Sequence, residues 1–253
     1  MNRYEEYRRA WLAEERAPFA GWDFSYLEGR WEEEPLPWDY GGVVQSLLRP
    51  FHRLLDMGTG GGEWLLRLGH PHRLIWATEG WESNLELCRR RLSPLGITVR
   101  RWNEGVPLPF EDNSFDVVIN RHESYDPAEV YRVLAPGGVF VTQQVGGTNG
   151  AELSGRLVKD FTPLYPHEIP RIRGPQMEAA GFEILRLEEH FPLLKFFDVG
   201  ALVYYARRIP WEFPGFSVEG CFNALLGCQR ELEEKGVIIS RQHRYLLVGR
   251  RPQ

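Results

Sequence analysis

One stretch of this 253-residue chain sets residues of chemical interest at regular spacing: Leu54-Leu55-Asp56-Met57-Gly58-Thr59-Gly60-Gly61-Gly62-Glu63. An apolar run ends in an acid, glycines follow at alternate positions, and a helical pattern begins. Glycine tolerates positive φ and lets a ligand approach the main chain closely. The dinucleotide fingerprint G-x-G-x-x-G fails in both frames, because Glu63 and Leu65 stand where its last glycine belongs. The phosphate cradle G-x-x-x-x-G-K-[ST] fails too, since no lysine follows. The pattern that fits is D-x-G-x-G-x-G, filled by Asp56, Gly58, Gly60 and Gly62, with Thr59 inside the turn. A carboxylate at that point repels pyrophosphate and suits a cationic ligand with an amino group. Twenty-three positions on (79 minus 56) comes Glu79, at the end of the next apolar run. A carboxylate there can accept both hydroxyls of a ribose.

These residues need a frame, and an alternation of strand and helix supplies one. The opening 20 residues predict an amphipathic helix with Tyr4, Tyr7, Trp11 and Leu12 on one side. Residues 21–41 are rich in aromatics, Gly and Pro, have no clean period, and read as an irregular lid or connector. From residue 42 the order is helix (VVQSLL, stopped by Pro50), strand (HRLLDMG), helix (61–69) and strand (RLIWATE). Next come the helix WESNLELCRRRL, the strands ITVRRW and SFDVVIN, the helix DPAEVYRVL and the strand VFVTQQV. This rhythm predicts an α/β fold with a doubly wound parallel sheet. Later, FEILRLEEHF and HRYLLVGR read as strands separated by helical stretches over 196–209 and 219–235. The organisation expected is an N-terminal helix with lid over 1–41 and a main domain over 42–253. A helical insertion at about 192–236 interrupts that domain.

The runs LLDMGTGGGEW, Glu79, LPFEDNSFDVVIN and VYRVLAPGGVFV, in this order, resemble a class I S-adenosylmethionine-dependent methyltransferase. They are most similar to the ubiquinone- and menaquinone-type branch, over residues 45–145. The resemblance implies a Rossmann-like sheet of seven strands, ordered 3-2-1-4-5-7-6, with the last strand antiparallel. It implies that Asp56 and the backbone of Gly58, Thr59, Gly60 and Gly62 hold the methionine part of S-adenosyl-L-methionine. Glu79 would take the ribose hydroxyls, and Gly80 and Trp81 would lie along the adenine. Asn103, followed by Glu104, stands where the family often has an acid for the adenine amino group; an amide oxygen still accepts that bond, without charge. Asn120, Arg121 and His122 would face cofactor and substrate.

Methyl transfer mainly requires alignment and exclusion of water, with a base only where the nucleophile must lose a proton. His122 is the candidate base, its alternative being a pocket-lining role; Glu123 and Tyr125 are its neighbours. His167 reads as a surface-loop residue, and His190 and His243 belong to strand edges. No metal is expected, as neither the histidines nor Cys88, Cys221 and Cys228 have ligand spacing. The aromatic groups Trp22, Trp31, Trp38, Tyr40 and Trp211, Phe213, Phe216 either roof a substrate or plug the core. As a lid, the N-terminal segment and the insertion would close over the pocket.

Charge and composition narrow the partner. The net charge is -5 and the pI about 5.9, against the basic face of a nucleic-acid enzyme. Arg89, Arg90 and Arg91 end a helix, where cations complement the dipole. After SFDVVIN there is no pair of prolines and aromatic following Asn120, as amino methyltransferases carry, and no cysteine placed for a C5-pyrimidine reaction. A small-molecule acceptor is therefore expected, with an RNA methyltransferase or a non-catalytic S-adenosylmethionine-binding module as alternatives. The charged N-terminus has no signal-peptide core, and no window nears the ~18 apolar residues of a membrane span. A soluble cytoplasmic protein with free thiols follows as the expectation.

Overall fold

The computed structural model describes residues 2–19 and 23–253; Trp22, one of the expected lid aromatics, lies outside them. In chain order come α1 (Arg3–Arg16), β1 (Trp31–Glu33), α2 (Tyr40–Leu47), β2 (Leu54–Met57) and α3 (Glu63–Arg67). β3 (Ile75–Glu79), α4 (Glu82–Leu92), β4 (Thr98–Arg101), β5 (Phe115–Arg121), α5 (Pro127–Val133) and β6 (Leu134–Val145) follow. Then come α6 (Ala151–Leu157), α7 (Pro170–Ala179), β7 (Glu183–His190) and β8 (Leu193–Phe196). α8 (Val199–Arg208), α9 (Val218–Lys235), β9 (Ile238–Arg241) and β10 (Arg244–Arg250) complete the chain. These elements divide into two compact units. One holds residues 37–145, 167–189 and 244–253; the other holds the chain up to Leu36 with Gly146–Pro166 and His190–His243.

The first unit is built on a seven-stranded sheet ordered β4-β3-β2-β5-β6-β10-β7. β2 runs parallel to β3 and β5, β3 to β4, and β5 to β6, while β10 is antiparallel to β6. This is the order that the resemblance implied. The central strand β2 is buried at every position, as an apolar run covered on both faces must be. β7, at the sheet edge, alternates exposed and half-buried residues. One face packs Leu55, Val118, Phe140 and Leu247 with Val130 of α5 and Met177 of α7. Helix starts follow the local sequence. Asp39 and Asp126 cap α2 and α5 through backbone N–H groups, and Pro127 takes the first turn of α5, where its missing donor costs nothing. α7 was not foreseen: Gly174 and Pro175 argue against a helix, and burial of Met177 outweighs them, while Pro170 suits its first turn.

The second unit joins the N-terminal segment to the insertion. Its three-stranded antiparallel sheet, β1-β8-β9, is absent from the sequence reading, because strands of three and four residues are too short to show a period. α8 is the centre, with every residue from Val199 to Ala206 buried among Trp11, Phe196, Phe213 and Leu225. Phe213 and Phe216 are thus core residues, and Trp31 packs against that core from β1. Arg30 ties the pieces: its Nε donates to Asp198 at 2.8 Å and its Nη2 to Glu14 at 2.8 Å. Asp198 also caps α8 by accepting from Ala201 N at 2.7 Å. Arg30→Ala would leave a half-buried Glu14 carboxylate without its partner. It should lower stability by about 2 kcal/mol, read by urea unfolding at pH 7.

Candidate active site

From β2 the chain proceeds outward through β3 to β4, and from β5 outward through β6. Open α/β sheets bind ligands outside the carboxyl ends of strands at such a reversal. The register aligns those ends: Met57 pairs with Thr78 and with Asn120, and Asn120 pairs with Thr142. Asp56, Glu79, His122 and Gln143 therefore share one rim.

Asp56 is only 6% exposed, and no cation ion-pairs with it among the described residues. Burial pushes its carboxyl up to about 7 against the Thr59 hydroxyl and Arg121, which lower it, while neighbouring Glu79 adds to the rise. After it the backbone turns through positive φ at Gly58, Gly60 and Gly62, pinned by Gly58 N and Thr59 N, which both donate to Thr78 O at 3.1 Å. A Cβ on Gly58 would lie 2.5 Å from Glu123 Cγ, and one on Gly62 2.8 Å from the Leu92 methyls. At Gly60 a Cβ would meet only open space.

Glu79 braces this turn. Its Oε2 accepts Gly60 N–H at 2.9 Å and its Oε1 accepts Trp81 N–H at 2.8 Å. Burial raises its pKa against the backbone N–H groups of Trp81, Gly60 and Gly80, which lower it. Gly80 is a matter of space: a Cβ there would sit 2.6 Å from Trp102 O and 2.7 Å from Asn103 Oδ1, so its absence brings Asn103 beside the end of β3. Trp81 is 56% exposed, and Glu104 is exposed on the same loop as Asn103. Of the arginine run, Arg91 bonds Gly61 O and Glu63 and so holds the glycine turn, while Arg89 and Arg90 stay in solvent.

Beyond β5 the picture differs from the expectation at one residue. Asn120 is fully buried and its side chain is spent within the protein: Oδ1 accepts from Thr142 Oγ1 and Gln144 Nε2, and Nδ2 donates to Ser124 O. Its carbonyl accepts the Tyr40 hydroxyl at 3.0 Å. It shapes the loop of residues 121–125 and does not face out of it. His122 adopts a left-handed backbone, φ 61; the residue reaches the surface, and the protein packed around its imidazole desolvates it. That desolvation, with Arg244 and then Arg121, holds its pKa well below the usual value. Glu123 lies on Gly58, its carboxyl raised by burial and by Glu79 and Glu104, its Oε1 accepting from Ser124 N at 3.1 Å. Tyr125 is buried, with Arg173 over its ring. His167 is exposed in the loop before α7; His190 ends β7; His243 is buried just ahead of β10, its Nδ1 bonded to Thr148.

Three contributors went unread in the sequence. Trp38 and Tyr40 looked like connector aromatics, yet both are buried, with polar tips on Gln143 and Asn120. Gln143 looked like an ordinary strand residue. Period-based reading assigns faces and cannot register which rim residue a distant indole will reach.

Residues 55–142 match the family described as "Methyltransferase domain". A biotin biosynthesis bifunctional protein from Teredinibacter turnerae is 29% identical over 202 residues, 72% of this chain and 35% of that protein. A demethylmenaquinone methyltransferase from Symbiobacterium thermophilum is 35% identical over 127 residues, 45% of this chain and 49% of that protein. The chain thus spans between a third and a half of the length of these two curated relatives. A functionally unknown protein from Deinococcus radiodurans shares the fold over 98% of both chains, with a TM-score of 0.60 at 17% identity. In a sheet wound in this order, the glycine turn braced by the buried Glu79 lies within a segment, β2 to β6, that is similar to methyltransferase domains, among them those of the menaquinone branch.

Proposed function

We propose that this protein transfers a methyl group from S-adenosylmethionine to a small-molecule acceptor. The observation that carries the reading is Asp56: a carboxylate buried at the rim and without an ion-pair partner among the described residues suits a cationic ligand. The open face of Gly60 fits the same ligand. When bound, S-adenosylmethionine supplies an electrophilic methyl on a sulfonium, for an in-line displacement.

Asp56 takes the ammonium of the methionine part, which lies against the backbone of Gly58, Thr59, Gly60 and Gly62. Each Glu79 oxygen holds one backbone N–H and retains a lone pair for a ribose hydroxyl. Gly80, Trp81, Asn103 and Glu104 border the adenine, with Asn103 accepting its amino group. Asn120 acts as scaffold for the loop that carries His122. The protein's share of catalysis is to align the two reactants and exclude water.

For the acceptor, the names of the relatives point to small molecules: one belongs to biotin biosynthesis and the other methylates a demethylmenaquinone. The acidic pI favours this over RNA. No helix among the described residues is long and apolar enough to cross a membrane, and we place the protein in the cytoplasm.

Calorimetric titration of S-adenosylmethionine and S-adenosylhomocysteine, with NADH as control, tests the cofactor. Turnover of methyl-labelled cofactor across an acceptor panel tests transfer. Micromolar binding without transfer to any acceptor would favour a non-catalytic binding module; binding of NADH alone would sink the proposal. The pH dependence is a sharper check. The free protein protonates Asp56 below pH about 7, whereas the bound ammonium requires it ionised. Binding should therefore release protons, and affinity should fall by up to about tenfold per pH unit below 7. Buffers of different ionisation enthalpy reveal the released proton, and an affinity flat from pH 5 to 8 would contradict the assignment.

A further inference from the structure

The indole Nε1–H of Trp38 donates to Gln143 Oε1 at 2.8 Å, and Gln143 Nε2 lies 3.2 Å from His122 Nε2. An indole nitrogen can only donate. The Gln143 atom it meets must be the amide oxygen, so the atom facing His122 is the NH2, which has no lone pair to offer. Gln143 therefore donates to His122 Nε2, and the imidazole proton resides on Nδ1. Trp38 and Gln143 are each 7% exposed, so water competes little for these bonds. His122 is an exposed residue, and among the described residues its Nδ1 has no hydrogen-bond partner.

The backbone holds the ring in the same place. A residue with a Cβ is strained at φ 61. That conformation is fixed by His122 N donating to Gln143 O at 2.9 Å. One glutamine thus secures both the main chain and the imidazole of His122.

The charges around the ring are cations. Arg121, on the preceding residue of β5, and Arg244, which opens β10, are the charged groups that act on His122. Arg121 stacks over the Trp64 ring of α3, with its guanidinium carbon 5.3 Å from the centroid. One residue further on the field is reversed, since Glu123 is influenced by Glu79 and Glu104. Acids serve the cationic cofactor, and the arginines flank a neutral N–H.

We infer that the Trp38–Gln143 relay fixes His122 as a hydrogen-bond donor through Nδ1, not as the proton acceptor. With Arg121, that N–H holds an anionic oxygen of the methyl acceptor: a carboxylate, phenolate or enolate. An acceptor bound as its anion needs no base on the protein. The tautomer stands on the hydrogen bonds alone, whereas the acceptor assignment rests on the methyltransferase reading.

Long-range proton–nitrogen spectra of the wild-type protein test the tautomer, with the His122 signals assigned by their loss in His122→Asn. Nδ1 should carry the proton and Nε2 should not, from pH 6 to 8. Gln143→Glu should move the proton to Nε2, because a carboxylate accepts, whereas a merely structural Gln143 would leave it in place. A wild-type ring protonated at Nε2, or one that charges at an ordinary histidine pKa, overturns the relay. The second arm titrates the protein loaded with S-adenosylhomocysteine with benzoate and with benzamide as its neutral counterpart. Benzoate should bind at least about tenfold more tightly, the scale of a charge-assisted hydrogen bond. His122→Phe and Arg121→Gln should each reduce that preference. Binding of S-adenosylhomocysteine with no preference for benzoate overturns the acceptor assignment. If S-adenosylhomocysteine itself fails to bind, the methyltransferase reading falls and takes the acceptor assignment with it, while the tautomer result is decided on its own spectra.

Discussion

Asp56→Asn should weaken S-adenosylmethionine binding by roughly a hundredfold or more, the scale of a buried ion pair broken on one side. It should also make the ligand-free protein more stable at pH 8. The two effects have opposite signs because burial penalises the charged carboxylate until the ligand's cation arrives. In the folded chain its pKa is about 7, against about 3.9 when unfolded. A folded-state pKa above the unfolded one means that the native protein binds more protons between those values, so stability falls as pH rises from about 4 to about 7. Below pH 4 both states carry the neutral acid and the substitution should change little. Above pH 7 the wild type holds a charged, desolvated group that an asparagine does not. Three pKa units correspond to about 4 kcal/mol, an upper scale that reorganisation around the new amide reduces. Urea unfolding at pH 4.5 and pH 8, without ligand, measures the difference. Equal stability of the two proteins at pH 8 would mean that Asp56 already has its counter-charge within the protein, and the site would lose its strongest claim to a cationic ligand.

What sequence could supply followed from distance along the chain. Asp56, the alternate glycines and Glu79 sit on contiguous runs or at strand ends that hydrophobic pattern locates, so their places in the fold were legible. Gly60 is a case where identity and geometry agree: the residue type announced positive φ, and the structure has it, facing open space. Asn120 shows the limit. Its place after β5 was readable, but three internal hydrogen bonds consume its side chain, and none of those partners is adjacent in sequence. Trp38 and Gln143 make the same point in reverse. They are 105 residues apart, joined by one bond, and neither carries a motif. The short strands of the second unit were invisible for a different reason. β1 has three residues, fewer than two periods of alternation, and its pairing with β8 supplies what its own pattern lacks.

Glu79 should prove the residue whose loss damages cofactor binding in two ways. Its carboxylate holds Gly60 N–H and Trp81 N–H, so it organises the glycine turn and the start of α4 before any ligand is present. Each bond to a charged acceptor contributes roughly 1.5–3 kcal/mol. Glu79→Ala leaves both donors for water to satisfy, loosens the turn, and removes the two ribose contacts. Affinity for S-adenosylhomocysteine should drop by about a hundredfold or more. Disorder of the turn and loss of the ribose contacts are separated by the ligand. The 2′,3′-dideoxy analogue of S-adenosylhomocysteine has no hydroxyls for Glu79 to accept. Wild type should bind it at least about tenfold more weakly than the parent compound, and Glu79→Ala should bind the two alike. Glu79→Gln sharpens the test, since its amide oxygen can keep one backbone N–H but its NH2 then opposes the other. It should fall between wild type and Glu79→Ala in affinity. Discrimination between the two ligands that survives undiminished in Glu79→Ala would mean that the ribose is read elsewhere, leaving Glu79 the brace of the turn alone.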